Sequence, residues 1–248
     1  MQKTIDFEET IDGSWFGIVM SYASSGTICF DLLVTLKKSD IKISKSKISV
    51  YLDSCEDISV KGANSPVKWK SSNKKIATVY SEEDDEKSYG TEATVYPRKK
   101  KGSCYIYATC QGKTVKCKVT VKGRKNIQLV GSIDSYNTRN NTFYLNFINF
   151  SDKKVKLCKT GATALDSDYT AFDRKLKLKK SVTIQSGKKK RVAFKVIGKN
   201  TWWNIKDFCV NYSVIYRGKK YRLASDTEYT WRRKKGKWKK LGDYDFNY

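Results

Sequence analysis

The chain contains no histidine, only two prolines, and no pair of cysteines at the CxxC spacing. The first absence removes Ser-His-Asp and Cys-His catalysis, His-ligated zinc and a histidine pH switch. A zinc site built from cysteine needs paired short spacings, whereas Cys104, Cys110 and Cys117 offer three widely spaced thiols. Arginine is scarce beside lysine, at nine against forty-one, and arginine is the residue that reads phosphate or guanine in bidentate fashion. Long apolar runs are missing too. The most apolar stretch, Ser14 to Val34, is interrupted by Ser21, Ser24, Ser25, Thr27 and Asp31, and a bilayer span needs about 20 mostly apolar residues. The N-terminus also lacks the basic start, short apolar run and small-residue cleavage site of a signal peptide.

What is present is 248 residues, enough for one or two compact domains. Apolar residues make up 39% and aromatics 13%, which offsets the ordering entropy that keeps polar chains unfolded. Fifty Lys and Arg against 25 Asp and Glu leave a net charge of +25. That charge implies an anionic partner or environment, whether nucleic acid, an acidic membrane surface or a cell-wall polymer, or else a generally solvated basic surface. Seven cysteines leave at least one thiol unpaired in a monomer.

The dominant period is two, the signature of strands, and no segment keeps a helical period over three turns. Apolar residues alternate with polar ones at Ile41-Ile43, Ile48-Val50-Leu52, Ile58-Val60, Val67-Trp69, Ala93-Val95, Ile106-Ala108 and Val115-Cys117-Val119-Val121. The chain is read as all-β. With Gly112-Lys113 as a two-residue loop, Cys110 faces Val115, Ala108 faces Cys117 and Ile106 faces Val119, leaving Tyr107, Thr109, Lys116, Lys118 and Thr120 on the opposite face. In that register Cys110 and Cys117 lie diagonally, roughly 7 to 8 Å apart and too far for an unstrained disulfide, so they are expected as core thiols. Trp69, Ile106, Val115 and Val119 are expected to join them in the core.

The opening IKISKSKISVYL, the central VKWKSSNKKIATV and the closing KKKGSCYIYATCQGKTVKCKVTV give residues 41–121 a family resemblance. This stretch resembles the bacterial immunoglobulin-like domain of group 2, the module of intimin- and invasin-type adhesins. The segment Ser81 to Gly90 is longer and more acidic than the usual connection there. Residues 125–225 again read as strands at sandwich spacing, seven in the simplest sum, and resemble a generic immunoglobulin-like or fibronectin-like sandwich. The expected architecture is therefore tandem immunoglobulin-like β-sandwiches joined near Lys122 to Lys125. Residues 1–40 read as a strand-rich segment, either the remnant of a truncated upstream domain or an added hairpin, and residues 226–248 as a basic, aromatic hairpin or tail.

The resemblance implies a non-enzymatic protein of the cell surface or the medium, a spacer or adhesion module with no cofactor, whose partner is a cell-wall polymer, a surface glycan or another surface protein. Candidate contacts are Trp202 and Trp203, a sugar-stacking platform beside Asn204 or else edge packing, and the segment Trp231, Arg232, Arg233 to Trp238. The latter interleaves cations and rings in a way that suits a phosphate-bearing polymer, or simply covers a sheet edge. The acidic run Glu82 to Glu86 reads as a solvated loop rather than a calcium site, since consecutive carboxylates cannot all converge on one ion. The alternative function is binding of nucleic acid or another polyanion through the basic aromatic tail.

Overall fold

In the computed structural model, residues 40–63, 65–81, 90–165, 174–198 and 208–243 are described with their side chains, and residues 9–11, 14–22, 28–33 and 166 by backbone alone. The regular elements among them are all strands. Strands β1 (Glu9–Ile11), β2 (Ser14–Tyr22) and β3 (Ile28–Leu33) form a three-stranded antiparallel sheet in that order.

The first sandwich is built from β4 (Lys42–Ile43), β5 (Lys47–Tyr51), β6 (Glu56–Lys61), β7 (Lys68–Ser71), β8 (Ala77–Tyr80), β9 (Glu92–Pro97), β10 (Gly102–Cys110) and β11 (Lys113–Lys122). One sheet runs β4-β6-β9-β8 and the other β5-β11-β10-β7. The opening segment changes sheets at a serine pair. Ser44 exchanges a backbone bond and a side-chain bond with Ser59 of β6, whereas the carbonyl of Ser46 accepts from Lys118 of β11. Beyond that switch β5 runs parallel to β11, and every other pairing in the two sheets is antiparallel. With the opening strand shared between layers, this is the ABED against CFG order of an immunoglobulin-like sandwich. Alternation drives it, because β10 buries Cys104, Ile106, Ala108 and Cys110 while its intervening residues face outward.

The β10–β11 hairpin corrects the sequence expectation by two residues. Gln111 and Gly112 both have positive φ, 52° and 70°, so these two form the loop, as a primed turn requires. Cys110 then pairs with Lys113, Ala108 with Val115, Ile106 with Cys117 and Cys104 with Val119. A shift of two keeps every side chain on its face, so Ile106, Cys110, Cys117 and Val119 are buried while Val115 is half-buried. Trp69 is half-buried as well, its indole Nε1 donating to the carbonyl of Gly90 at 2.7 Å. The six described cysteines other than Cys29 are free thiols.

The second sandwich comprises β12 (Leu129–Asn137), β13 (Thr142–Asn149), β14 (Val155–Leu157), β15 (Ala162–Asp166), β16 (Arg174–Lys177), β17 (Val182–Ile184), β18 (Lys189–Val196), β19 (Phe208–Tyr216) and β20 (Lys219–Ser225), extended by β21 (Tyr229–Lys234) and β22 (Lys237–Asp243). Its main path is β12-β13-β18-β16-β15-β19-β20-β21-β22, with β14 joining β17 to β19. The layer β12-β13-β18 faces the layer around β19, and Phe147 of β13 meets Tyr212 of β19 edge to face at 5.2 Å. Among the described residues, nine strands replace the seven read from the sequence. The stretch Arg174 to Ile184, which the sequence pattern reads as a single strand, is two, because the chain leaves β18 at Leu178 and crosses to β14. Strand β15 went unread in the sequence.

Candidate functional site

Among the described residues, the joint between the sandwiches and the outer face of the terminal hairpin are two of the places that bring polar and aromatic side chains together.

The joint starts from the chain Lys122 to Lys125. Arg124 lays its guanidinium 4.1 Å over the ring of Tyr51 and donates from Nε to both carboxylate oxygens of Asp53, at 2.8 and 3.1 Å. Asp53 is almost wholly buried. Gly123 has no room for a side chain, since a Cβ there would lie 2.5 Å from the Cα of Asp152. On the far side, the hydroxyl of Tyr216 donates to the carbonyl of Lys125 at 2.8 Å and to the carboxylate of Asp152 at 2.5 Å, and Arg217 pairs with the same carboxylate. Burial pushes the Tyr216 phenol up to about 12, helped by the adjacent Asp152. Burial also acts to raise Asp152, but the bonds from Tyr216 and Arg217 prevail and hold it below the ordinary carboxylate range.

Two further contacts close the joint from the first sandwich. Lys101 Nζ donates to the carbonyl of Asp152 at 2.6 Å, and Gly187, at φ +71°, sits where any Cβ would collide with the carbonyl of Lys99. Beneath them the cores merge, with Val130, Ile148 and Phe150 of the second sandwich belonging to the same buried cluster as Val50, Leu52 and Val121 of the first. Asn149 and Ser151, both fully buried, hold the loop that carries Asp152. The Asn149 amide donates to the carbonyls of Lys153 and Ile184, and its oxygen accepts from Ser151 N–H. In sequence, Asn149, Ser151 and Asp152 look like an ordinary polar turn, so nothing there signals their role.

The terminal hairpin continues the sheet from β20. Its inward residue Thr230 is fully buried, accepting from Gly131 N–H and donating to Gly131 C=O, both at 2.8 Å, beside Ser225 and the Tyr212 hydroxyl. Alternation along β21 therefore places Trp231 and Arg233 outward and Arg232 on the Thr230 side. Trp231 pairs with Lys240 and Arg233 with Trp238, so the structure brings Trp231, Arg233 and Trp238 onto one face and sets Arg232 apart. Trp238 and Arg233 are exposed. Near the other end of this face, Lys240 lies 3.8 Å from the centre of the Tyr229 ring and 2.7 Å from Asp243, and Tyr229 meets Trp231 at 5.9 Å. Its positive charge is thus partly neutralised internally. Trp202, Trp203 and the acidic run Glu82 to Glu86 lie outside the described residues. Among the described residues no helix is long and apolar enough to cross a membrane.

No protein-family model matches the chain, and no curated protein matches it in sequence. Among solved structures, a tandem of titin immunoglobulin domains is similar at 10% identity and a TM-score of 0.27, covering 76% of this chain and 95% of that one. The D00-D0 domain of intimin is similar at 12% identity and a TM-score of 0.26, covering 75% and 95%. The S-layer protein SbsC is similar at 12% identity and a TM-score of 0.31, covering 94% of this chain and 29% of that one. Scores this low carry no argument, and the immunoglobulin-like reading of the first sandwich rests on the strand order given above.

Proposed function

We propose that this is a non-enzymatic protein of the cell surface or the medium, in which residues 41–121 are a bacterial immunoglobulin-like module of group 2 and the chain acts as a stiff spacer that presents an adhesive surface. The supporting observation is the joint. A linker free to swivel needs few contacts, whereas here the Asp53–Arg124 pair, the Asp152 cluster and a shared apolar core tie one sandwich to the next. Such a connection transmits position and load, which is the work of a spacer. The basic surface then holds the protein near an anionic envelope by salt-sensitive attraction. Fractionation of cells making the full chain tests this reading. Recovery in the envelope or medium supports it, and retention with cytosolic markers contradicts it.

A second reading has its own support in the exposed cross-strand pair Arg233 and Trp238 beside Trp231. A ring and a cation on one open face suit a stacked, phosphate-bearing strand. Substituting both Trp231 and Trp238 by alanine then weakens binding to single-stranded nucleic acid, and unchanged binding removes this reading.

A further inference from the structure

The outward face of the sheet β5-β11-β10-β7 carries lysine on three of its strands and no carboxylate. Lys68 and Lys70 stand on β7, Lys116, Lys118 and Lys122 on β11, and Lys47 on β5, all exposed. Pairing arranges them in rows. Lys47 lies directly opposite Lys118, and Lys70 and Lys116 flank Tyr107 from either side. The described carboxylates of this sandwich are engaged elsewhere or lie on the other sheet: Asp40 is bound by Lys42 and Lys113, Asp53 by Arg124 and Glu56 by Lys45, while Asp57 and Glu92 belong to β6 and β9. None of the six lysines has an ion-pair partner among the described residues.

Neighbouring strands lie about 4.8 Å apart and alternate residues about 7 Å apart, so the nearest neighbours, Lys47 with Lys118 across the β5–β11 pair and Lys116 with Lys118 along β11, stand within one Debye length of roughly 8 Å, while Lys70 lies two strands, about 10 Å, from Lys116. Like charges placed directly opposite, as Lys47 and Lys118 are, destabilise a sheet. A polyanion laid across the face relieves that repulsion.

Two details select the kind of polyanion. The cations are all lysine, compact charges on flexible stems, which suit phosphates of variable orientation better than the fixed fork of arginine. Between them stand hydroxyls, with Thr109 bonded to Thr114 at 2.9 Å and Ser103 to Thr120 at 3.2 Å. The rings on this face already have neighbours, since Tyr105, 38% exposed, has Tyr107 at 6.3 Å and Lys116 5.4 Å from its ring centre. A surface made mainly of ammonium and hydroxyl groups matches a polymer whose repeat is itself phosphate and polyol.

We infer that the outer face of the β5-β11-β10-β7 sheet is a binding surface for a linear polyol-phosphate polymer of the cell-wall type. The choice of the cell wall as source rests on the surface reading above, while the face itself rests on the sheet.

The test uses the purified full chain with poly(glycerol phosphate) and, separately, single-stranded oligo-dT, each titrated against salt. Replacing Lys47, Lys70, Lys116 and Lys118 by glutamine is expected to weaken poly(glycerol phosphate) binding tenfold or more at physiological salt and to lower the slope of log K against log salt by about 3, at roughly 0.7 per released counterion. A control chain with Lys154, Lys156, Lys175 and Lys177 replaced by glutamine loses the same charge from exposed positions of the second sandwich and is expected to bind like the parent. Equal loss in both variants overturns the proposal in favour of diffuse charge. Tighter binding of oligo-dT than of poly(glycerol phosphate) overturns the polymer assignment. Because both probes are purified, failure here is distinct from failure of the fractionation experiment.

Discussion

Arg124 binds Asp53 across the boundary between the two sandwiches, its Nε within 2.8 Å of one carboxylate oxygen while its guanidinium covers Tyr51. The acid is buried and the arginine partly exposed, with 39% of its side chain accessible, so solvent screens part of the attraction. Replacing Arg124 with alanine leaves Asp53 buried without its partner. A loss of about 1–2 kcal/mol is expected, at the lower end for charge-assisted bonds. Chemical denaturation followed by both fluorescence and circular dichroism checks this, and the two probes are expected to separate as the sandwiches lose their coupling.

Gly123 offers a steric test of the same joint. A methyl group there meets the backbone of Asp152 at 2.5 Å, and backbone cannot swing aside as a flexible side chain does. Gly123→Ala is expected to cost about 1–3 kcal/mol, the range for overpacking a tight site. The melting temperature reports it directly.

Acid should loosen the joint through Asp152. Its folded pKa lies below the ordinary carboxylate value because Tyr216 and Arg217 favour the ionised form over the opposing effect of burial. A depressed carboxylate contributes stability that is present in full above its unfolded pKa, about 3.9, and is lost as pH falls through the lower folded value. Stability is therefore expected to be insensitive to Asp152 from neutrality to about pH 5 and to fall below about pH 4. Asp152→Asn should flatten that part of the profile, as measured by denaturation at a series of pH values.

The turn of the terminal hairpin admits a gain. Lys235 sits at φ 49° ahead of Gly236 at φ 79°, a conformation that asparagine tolerates and lysine resists. Lys235→Asn is expected to add about 0.5–1 kcal/mol, raising the melting temperature by roughly 1–4 °C.

Thr230 joins that hairpin to β12, since its hydroxyl serves both backbone groups of Gly131. Thr230→Val keeps the shape and removes the bonds, stranding a buried N–H and C=O. A loss of about 1–3 kcal/mol is expected, and faster amide exchange at Gly131 is the measurement that assigns it.

The strands of the first sandwich were legible because Ile48, Val50, Ile106 and Val119 alternate cleanly with polar neighbours. The β10–β11 register was legible only to within two residues, since alternation fixes the face and the turn fixes the pairing, and Gly112 serves the second loop position rather than the first. The lysines of that sheet were visible singly as the polar half of a period. Their grouping with Lys68 and Lys70 depends on β7 pairing with β10 across a long separation, which no local pattern records. The joint was hidden for the same reason: Asp53, Arg124, Asp152 and Tyr216 are far apart in the chain and each looks like an ordinary surface residue. Trp231, Arg233 and Trp238 were picked out by composition, and only the alternation of β21 separates Arg232 from them.

The most direct test of the central claim, that the two sandwiches are held as one stiff unit, is backbone amide NMR relaxation of the intact chain. The structure predicts one shared tumbling time for amides of residues 41–121 and 129–225, with Arg124→Ala shortening and separating the two values. Two independent, shorter tumbling times in the unaltered protein would contradict it.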